Sequence, residues 1–349
     1  MHSFDKRGIK GGHQLKKTYM AVSLLMLVVT ACSNPDQGHV ATSTQPQTQK
    51  ATPAASPKAS PVNTNKPVAQ EVPIPTLTPS PSPLSTASAP SKVPNPAVSE
   101  GGKPDHVVIV VEENHSYEKL IGNASAPYIN TLAEQGAFFT HSYAVTHPSQ
   151  PNYFVLFSGS DQGVKDNSCG HAFKTANLAS ELVKAGYSFA GYSEDLPVMG
   201  STACTNHQYG RKHSPWVSFS NVAKESNQPF DQFPKDFNKL PTVSFVIPNL
   251  DNDMHDGTIL DADDWLKKHI GPYVTWAQSH NSLLILTWDE DDNSKDNHIP
   301  TIFVGPMIKP AKYDQHITHL NVLRTLEEMY KLPYLGGTAD VTTIQGIWK

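Results

Sequence analysis

From His106 onward the chain alternates short, unbroken apolar runs with stretches of helical periodicity. His106–Val111 (HVVIVV) is a continuous β-branched run, which predicts a strand buried on both faces, as in a parallel sheet. Tyr187–Tyr192, Val243–Ile247, Leu283–Thr287 and Thr301–Val304 repeat that pattern. Helices are predicted over Ala126–Gln135, Ala176–Ala185 and Ile317–Tyr330, a further strand over Phe138–Val145, and a helical apolar run at Phe154–Phe157. Strand and helix in alternation predict an α/β fold with a mostly parallel central sheet flanked by helices. In such a sheet the working residues lie just past the carboxyl ends of the strands.

Before His106 the pattern is absent. Residues 33–103 hold 14 of the 29 prolines and no Phe, Trp or Tyr, so they bury too little apolar surface to offset their ordering entropy. Residues 104–349 are the expected folded domain, 246 residues long, a size that suits a single core. That domain carries 17 basic against 28 acidic side chains, a net charge of −11, which argues against nucleic acid as a partner. A small anionic substrate then requires a metal or a local basic cluster to offset the field.

Lys6, Arg7, Lys10, Lys16 and Lys17 precede the 12-residue apolar run Met20–Ala31, the layout of a signal peptide and too short to span a bilayer comfortably. The run ends Val29-Thr30-Ala31-Cys32, which resembles the bacterial lipoprotein cleavage box. That resemblance implies removal of residues 1–31, lipidation of Cys32, and residues 32–103 as a Pro/Ser/Thr/Ala-rich tether. The domain is thus expected outside the cytoplasm, held to the bacterial envelope membrane by its N-terminal lipid. Cys169 and Cys204 remain as an even pair in an oxidising compartment, and a disulfide is expected between them. The alternative, a metal pair, lacks any CxxC or CxxH spacing.

Three predicted strands are followed by acidic clusters: Glu112-Glu113-Asn114-His115, Pro248–Asp256 (PNLDNDMHD) and Trp288–Asp292 (WDEDD). Acids in loops ordinarily cap helices and turns. Three clusters at equivalent strand ends converge on one sheet edge, where carboxylates repel unless a cation sits among them. Ser149, in Thr146–Tyr153 (THPSQPNY), falls at or near a helix N-terminus, either as a plain N-cap or as a group facing an anion. A neighbouring metal favours the second, because a cation activates a hydroxyl as a nucleophile.

Taken in order, HVVIVVEENHSYEKLIG, THPSQPNYFVLFSG, EDLP…YGRKHSPW, PNLDNDMHDG, TWDEDD and NHIP resemble the bacterial phosphoesterase family. That family includes secreted acid phosphatases and non-zinc phospholipases C and is similar in fold to the alkaline-phosphatase superfamily. The resemblance covers residues 105–335. It implies an alkaline-phosphatase-like core and Ser149 as the nucleophile, with Thr146 the alternative. It implies metal ligation by Glu113, Asn114, Ser149, Asp289 and Glu290. Asn152 is implied to hold phosphoryl oxygens, and His147, Lys212, His213 and Asp253 to face the substrate. His255 or His298 is the expected acid for the leaving alcohol. Oxygen donors of this kind favour Ca²⁺, Mg²⁺ or Mn²⁺, with zinc open if histidines ligate a second ion.

The expected activity is that of a metal-dependent acid phosphatase acting on phosphate monoesters through a phosphoserine. The alternative is a phospholipase C-type phosphodiesterase acting on phospholipid head groups. The size of the domain and the lack of an aromatic-rich amphipathic helix favour the monoesterase. A non-catalytic binding module would lack the nucleophile or the acidic clusters, and a sulfatase would need Arg where Tyr153 stands. Asp291 and Asp292 are expected to face solvent, and His115, His141, His207 and His319 receive no role.

Overall fold

A computed structural model of the chain describes residues 103–349. The expected signal peptide, Cys32 and all of the tether before Lys103 lie outside the described residues. In chain order the elements are β1 (His106–Glu112), α1 (Tyr117–Leu120), α2 (Pro127–Gln135), β2 (Ala137–Phe139), β3 (Ser142–Tyr143), α3 (Ser149–Ser158) and α4 (Leu178–Lys184). There follow β4 (Phe189–Ser193), β5 (Thr205–Asn206), β6 (Tyr209–Gly210), β7 (Asn227–Pro229), β8 (Val243–Ile247), α5 (Ile259–His269) and α6 (Gly271–Ala277). The last are β9 (Ser282–Trp288), β10 (Thr301–Val304), β11 (Ala311–Tyr313), β12 (Ile317–Thr318) and α7 (His319–Tyr330).

Eight strands form one sheet in the order β11-β2-β10-β9-β1-β8-β4-β7. It is mostly parallel; β10 runs antiparallel to both β9 and β2. β1 sits at the centre, in register with β9 from His106↔Ser282 to Glu112↔Trp288 and with β8 from Val107↔Val243. Its unbroken apolar run follows from that place. Val107, Ile109 and Val111 pack with α3, α4 and α7 on one face, while Val108 and Val110 pack with α2, α5 and α6 on the other.

Two predicted elements divide. The run Phe138–Val145 forms two short strands, because Thr140 and His141 turn between them. The stretch from Ile317 opens with β12, and the helix begins at His319, with Thr318 as N-cap accepting from Leu320 N. The helix at Phe154–Phe157 is longer than its apolar run. It starts at Ser149 and ends at Gly159, whose φ of +70° and contact with the Leu335 carbonyl leave no room for a Cβ. Every residue of α3 is buried. Cys169 and Cys204 are disulfide-bonded, as expected. No helix among the described residues is long and apolar enough to cross a membrane.

Candidate active site

The three acidic clusters meet because their strands are neighbours, β9-β1-β8. Backbone bonds lock the strand ends together: Asp289 N donates to Glu112 O at 3.0 Å, and Glu113 N to Asp253 O at 2.9 Å. Over this edge α3 brings Ser149 as its first residue, with Pro148 at the N-cap, so the serine is not a capping side chain. The Ser149 hydroxyl lies between two carboxylates, 3.0 Å from Glu290 Oε1 and 3.2 Å from Glu113 Oε2. One turn along the helix, the Tyr153 hydroxyl donates to Glu113 Oε1 at 2.8 Å. Asn114 contributes its backbone N–H to Asp289 Oδ1 at 3.2 Å, and the second oxygen of Asp289 is buried without a partner.

These acids do not share charge evenly. Burial, followed by the charges of Glu113 and Glu290, pushes the Asp289 carboxyl well above the usual range. Glu113 is equally buried, yet the His213 imidazole and the Lys212 ammonium hold it down at about 2. His213 Nε2 faces Glu113 Oε1 at 2.7 Å as a charge contact, and its Nδ1 lies 3.6 Å from Asp253 Oδ2. Burial works against the charged ring, but Glu113 and Asp253 outweigh it and raise the His213 pKa. Burial lifts Asp253 to about 6. Burial also raises Glu290, with Ser149 and His147 opposing it.

The strap leading into α3 brings His147 to the same carboxylate. His147 Nδ1 is 2.6 Å from Glu290 Oε2 and its Nε2 is 3.3 Å from Asp291 Oδ1. The following peptide, His147–Pro148, is cis. Across the site Lys212 Nζ lies 3.2 Å from His255 Nε2, and the other ring nitrogen meets Asp256 Oδ1 at 2.7 Å. This pair is half-buried.

Glu113, Asn114, Ser149, His147, Lys212, His213, Asp253, His255, Asp289 and Glu290 are thus gathered at one sheet edge. Asn152 and His298 do not take their expected places. The Asn152 side chain accepts from Val145 N and Thr146 N and donates to Thr146 O, so its amide holds the strap rather than a phosphoryl oxygen. His298 is stacked between Tyr117 and Tyr143, with both ring nitrogens against Glu118 Oε1 and Thr140 O, each at 3.0 Å. A ring committed at both nitrogens is a structural histidine, not an acid for a leaving group. Thr146 turns its hydroxyl to the His147 carbonyl at 3.1 Å, away from a nucleophile's role.

Asp291 is fully buried rather than solvent-facing, accepting from the backbone of Asn293, Lys295 and Asn297. Asn297, to which the sequence pointed no role, accepts from Asp291 N and donates to Thr146 O at 2.8 Å. Tyr153 was equally unassigned, although its i+4 spacing from Ser149 puts the two on one helix face. His319 anchors the layer beneath, its Nε2 donating to Trp288 O at 2.9 Å just before Asp289.

The donor set suits a hard divalent ion. An orphaned buried oxygen on Asp289, a hydroxyl between two carboxylates and a mutual repulsion among three acids are what a cation relieves. Among the described residues no three His, Cys, Asp or Glu side chains are grouped to hold an ion alone. A site that held one would have to draw on the Ser149 hydroxyl and the Asn114 amide as well.

The Phosphoesterase family model matches residues 123–333. Over 246 residues the chain is 53% identical to a phosphatidylinositol-3-phosphatase of Mycobacterium tuberculosis, spanning 70% of this chain and 82% of that protein. It is 32% identical to a probable acid phosphatase of Kluyveromyces lactis, over 70% of this chain and 63% of that one. An acid phosphatase of Aspergillus fumigatus is 31% identical over 64% and 54%. The chain therefore spans under two thirds of these two fungal relatives. A solved alkaline-phosphatase-superfamily protein from Vibrio parahaemolyticus aligns with a TM-score of 0.49 at 14% identity, over 68% of each chain. By its match to the family model and its 53% identity to the mycobacterial phosphatase, the chain belongs to the Phosphoesterase family and is a phosphoric ester hydrolase.

Proposed function

We propose that the chain is a metal-dependent acid phosphatase that hydrolyses phosphate monoesters, phospholipid head-group monoesters included, through a phosphoserine on Ser149. The observation that carries this reading is the Ser149 hydroxyl at the start of α3, held between Glu113 and Glu290. Glu290 accepts the hydroxyl proton while His147 braces its other oxygen. The Ser149 oxygen attacks phosphorus in line, forming the Oγ–P bond as the bond to the leaving alcohol breaks. At the head of α3 the Gln150 N–H is taken by Asn167 Oδ1 and Pro151 has none, so the helix start offers the phosphoryl oxygens little beyond its dipole. Lys212 neutralises part of their charge, and His255 beside it donates the proton that the departing alkoxide takes up. Water then attacks the phosphoserine, the Oγ–P bond breaks, and inorganic phosphate leaves. Glu113, Asn114, Ser149, Asp289 and Glu290 are the residues that would hold a divalent ion, which would supply positive charge to lower the serine pKa and offset the surrounding acids. In the same reading Cys32 carries a lipid and the enzyme works outside the cytoplasm, which radiolabelled-palmitate incorporation lost in Cys32→Ala would support.

The names of the relatives, a phosphatidylinositol-3-phosphatase and two acid phosphatases, one of them probable, support the monoesterase over the phospholipase C alternative. The test is the full chain stripped with chelator and assayed on a chromogenic phosphomonoester and phosphodiester as Ca²⁺, Mg²⁺, Mn²⁺ or Zn²⁺ is restored. Metal-restored monoester cleavage that falls by about 10³-fold or more in Ser149→Ala is expected. Preference for the diester would overturn the monoesterase reading. Activity surviving Ser149→Ala would overturn the phosphoserine.

A further inference from the structure

Beside the site lies a cavity of 720 Å³ that the catalytic residues do not line. Leu196, Phe230, Phe233 and Phe237 form its apolar wall. The rings are fixed from behind: Phe230 stacks on Phe233 at 5.6 Å, Phe233 meets buried Tyr192 edge-on at 5.2 Å, and Phe237 meets buried Tyr273 at 5.6 Å. Half-buried aromatics held this firmly keep their open faces toward the cavity. The turn that follows Leu196 and Pro197 carries Val198 and Met199, 63% and 54% exposed. These two large apolar side chains follow directly in the chain on Leu196 and Pro197, which line the cavity, and add exposed apolar surface next to them of the kind that binds something.

The charges at this cavity are of two kinds. Of its acids, Glu194 is consumed internally, accepting from Asn249 N, Asn252 Nδ2 and Trp265 Nε1. Asp195 accepts from Asn249 Nδ2. Asp231 stands exposed, hydrogen-bonded to Gln232. Lys235 and Lys268 also line the cavity, both exposed and with no ion pair or hydrogen bond among the described residues. An apolar chain and an anionic head match this combination.

We propose that the cavity and the Val198–Met199 turn form a membrane-docking face that takes an acyl chain of an anionic phospholipid, its head group against Lys235 and Lys268. The aromatic wall accepts the chain, the turn inserts at the interface, and the lysines meet the phosphate. The cavity backs onto the Asn249–Asp253 turn through Glu194, and Asp253 contacts His213, so docking here sets the site beside the lipid surface.

The test reads vesicle binding without substrate, so its failure is separate from any failure of the phosphatase reading. The chain from residue 33 onward, which lacks both the expected signal peptide and the acyl acceptor Cys32, is sedimented with phosphatidylcholine vesicles with and without phosphatidylglycerol. Binding is expected only with phosphatidylglycerol and is expected to weaken as salt rises. Val198→Asp with Met199→Asp should weaken it by about tenfold or more, while melting temperature and soluble-monoester turnover stay unchanged. Lys235→Glu with Lys268→Glu should remove the preference for the anionic lipid. Should the aspartates unfold the turn, Val198→Ser with Met199→Ser is the second variant, with a smaller loss expected. Equal binding to both vesicle types, or binding indifferent to either pair, would overturn the proposal. A folded chain that binds no vesicle would also overturn it and assign the face to a protein partner.

Discussion

Asn152 grips Thr146 at both ends of that residue: its Oδ1 accepts from Thr146 N at 3.1 Å and its Nδ2 donates to Thr146 O at 2.7 Å. Asn297 donates to the same carbonyl from the other side. Thr146 begins the three-residue strap that delivers Ser149, so the two amides set where the Ser149 hydroxyl stands. Asn152→Ala is expected to lower kcat by about 10²-fold, the effect of a displacement near 1 Å, with KM little changed. The melting temperature should fall with it, because the part-buried N–H groups of Val145 and Thr146 lose their acceptor. A residue that held the phosphoryl oxygens would instead weaken inhibition by inorganic phosphate and leave the melting temperature alone.

Tyr153 and Glu113 allow a subtler test. The phenol donates to the carboxylate oxygen that also faces His213, and burial together with the Glu113 charge pushes the Tyr153 pKa up, keeping it a donor. Tyr153→Phe preserves the packing and removes that one bond. On the metal-dependent reading proposed above, the expected result is a loss of about tenfold or more in affinity for the divalent ion, read by titrating Ca²⁺, Mg²⁺, Mn²⁺ or Zn²⁺ into chelator-treated protein. Unfolding stability should change by no more than about 1–3 kcal/mol.

Two buried groups on α7 give opposing pH responses. Burial drops the His319 pKa to about 4, so the folded state resists a proton that the unfolded chain accepts below its ordinary value. Its contribution is full above pH ~6.5 and is lost as pH falls from there towards 4. Burial lifts Glu327 to about 7, so the folded state keeps a proton that the unfolded chain has released. That contribution is full below pH ~4.5 and is lost as pH rises through 7. The windows overlap and the slopes oppose. Denaturant melts between pH 4.5 and 6.5 should show Glu327→Gln losing stability toward acid and His319→Gln gaining it, each by roughly 2 kcal/mol relative to wild type.

The Cys169–Cys204 bridge closes a separation of 35 residues and braces the segment that carries Lys212 and His213. Arg211 N donates to Cys204 O at 2.9 Å, and the Arg211 guanidinium reaches Thr202 O and His171 O. Replacing both cysteines with Ala should lower stability by about 4 kcal/mol in the chain-entropy account. Because Lys212 follows Arg211 directly, KM for a phosphomonoester should rise more than kcat falls. Equal stability of the bridged and unbridged chains under denaturant would refute the first expectation.

Much of this was legible in the chain. Continuous β-branched runs announced strands buried on both faces, and β1 between β9 and β8 is that arrangement. Acidic clusters after three such runs meet at one sheet edge, because parallel strands present their carboxyl ends on one side. The three clusters meet because β9, β1 and β8 are neighbours, an order that local patterning does not encode. His298 and His255 show the limit most plainly. Each lies in an acidic loop near a strand end, yet one ring is stacked between two tyrosines and the other faces Lys212.

By itself the sequence determined the main buried strands and several of the helices, the expected pairing of the two domain cysteines, and the acidic clusters that follow three of those strands. Those follow from local periodicity, composition and residue type, which act over a few positions. Only the tertiary structure decided that Asn152 and Asn297 hold the strap, that Tyr153 serves Glu113, that Asp291 is buried, and that Phe230, Phe233 and Phe237 line a cavity beside the site. Each of those depends on which backbone group or ring a side chain meets across the fold. A hydrogen bond or ring contact is decided within a few tenths of an ångström by the packing of segments far apart in the chain.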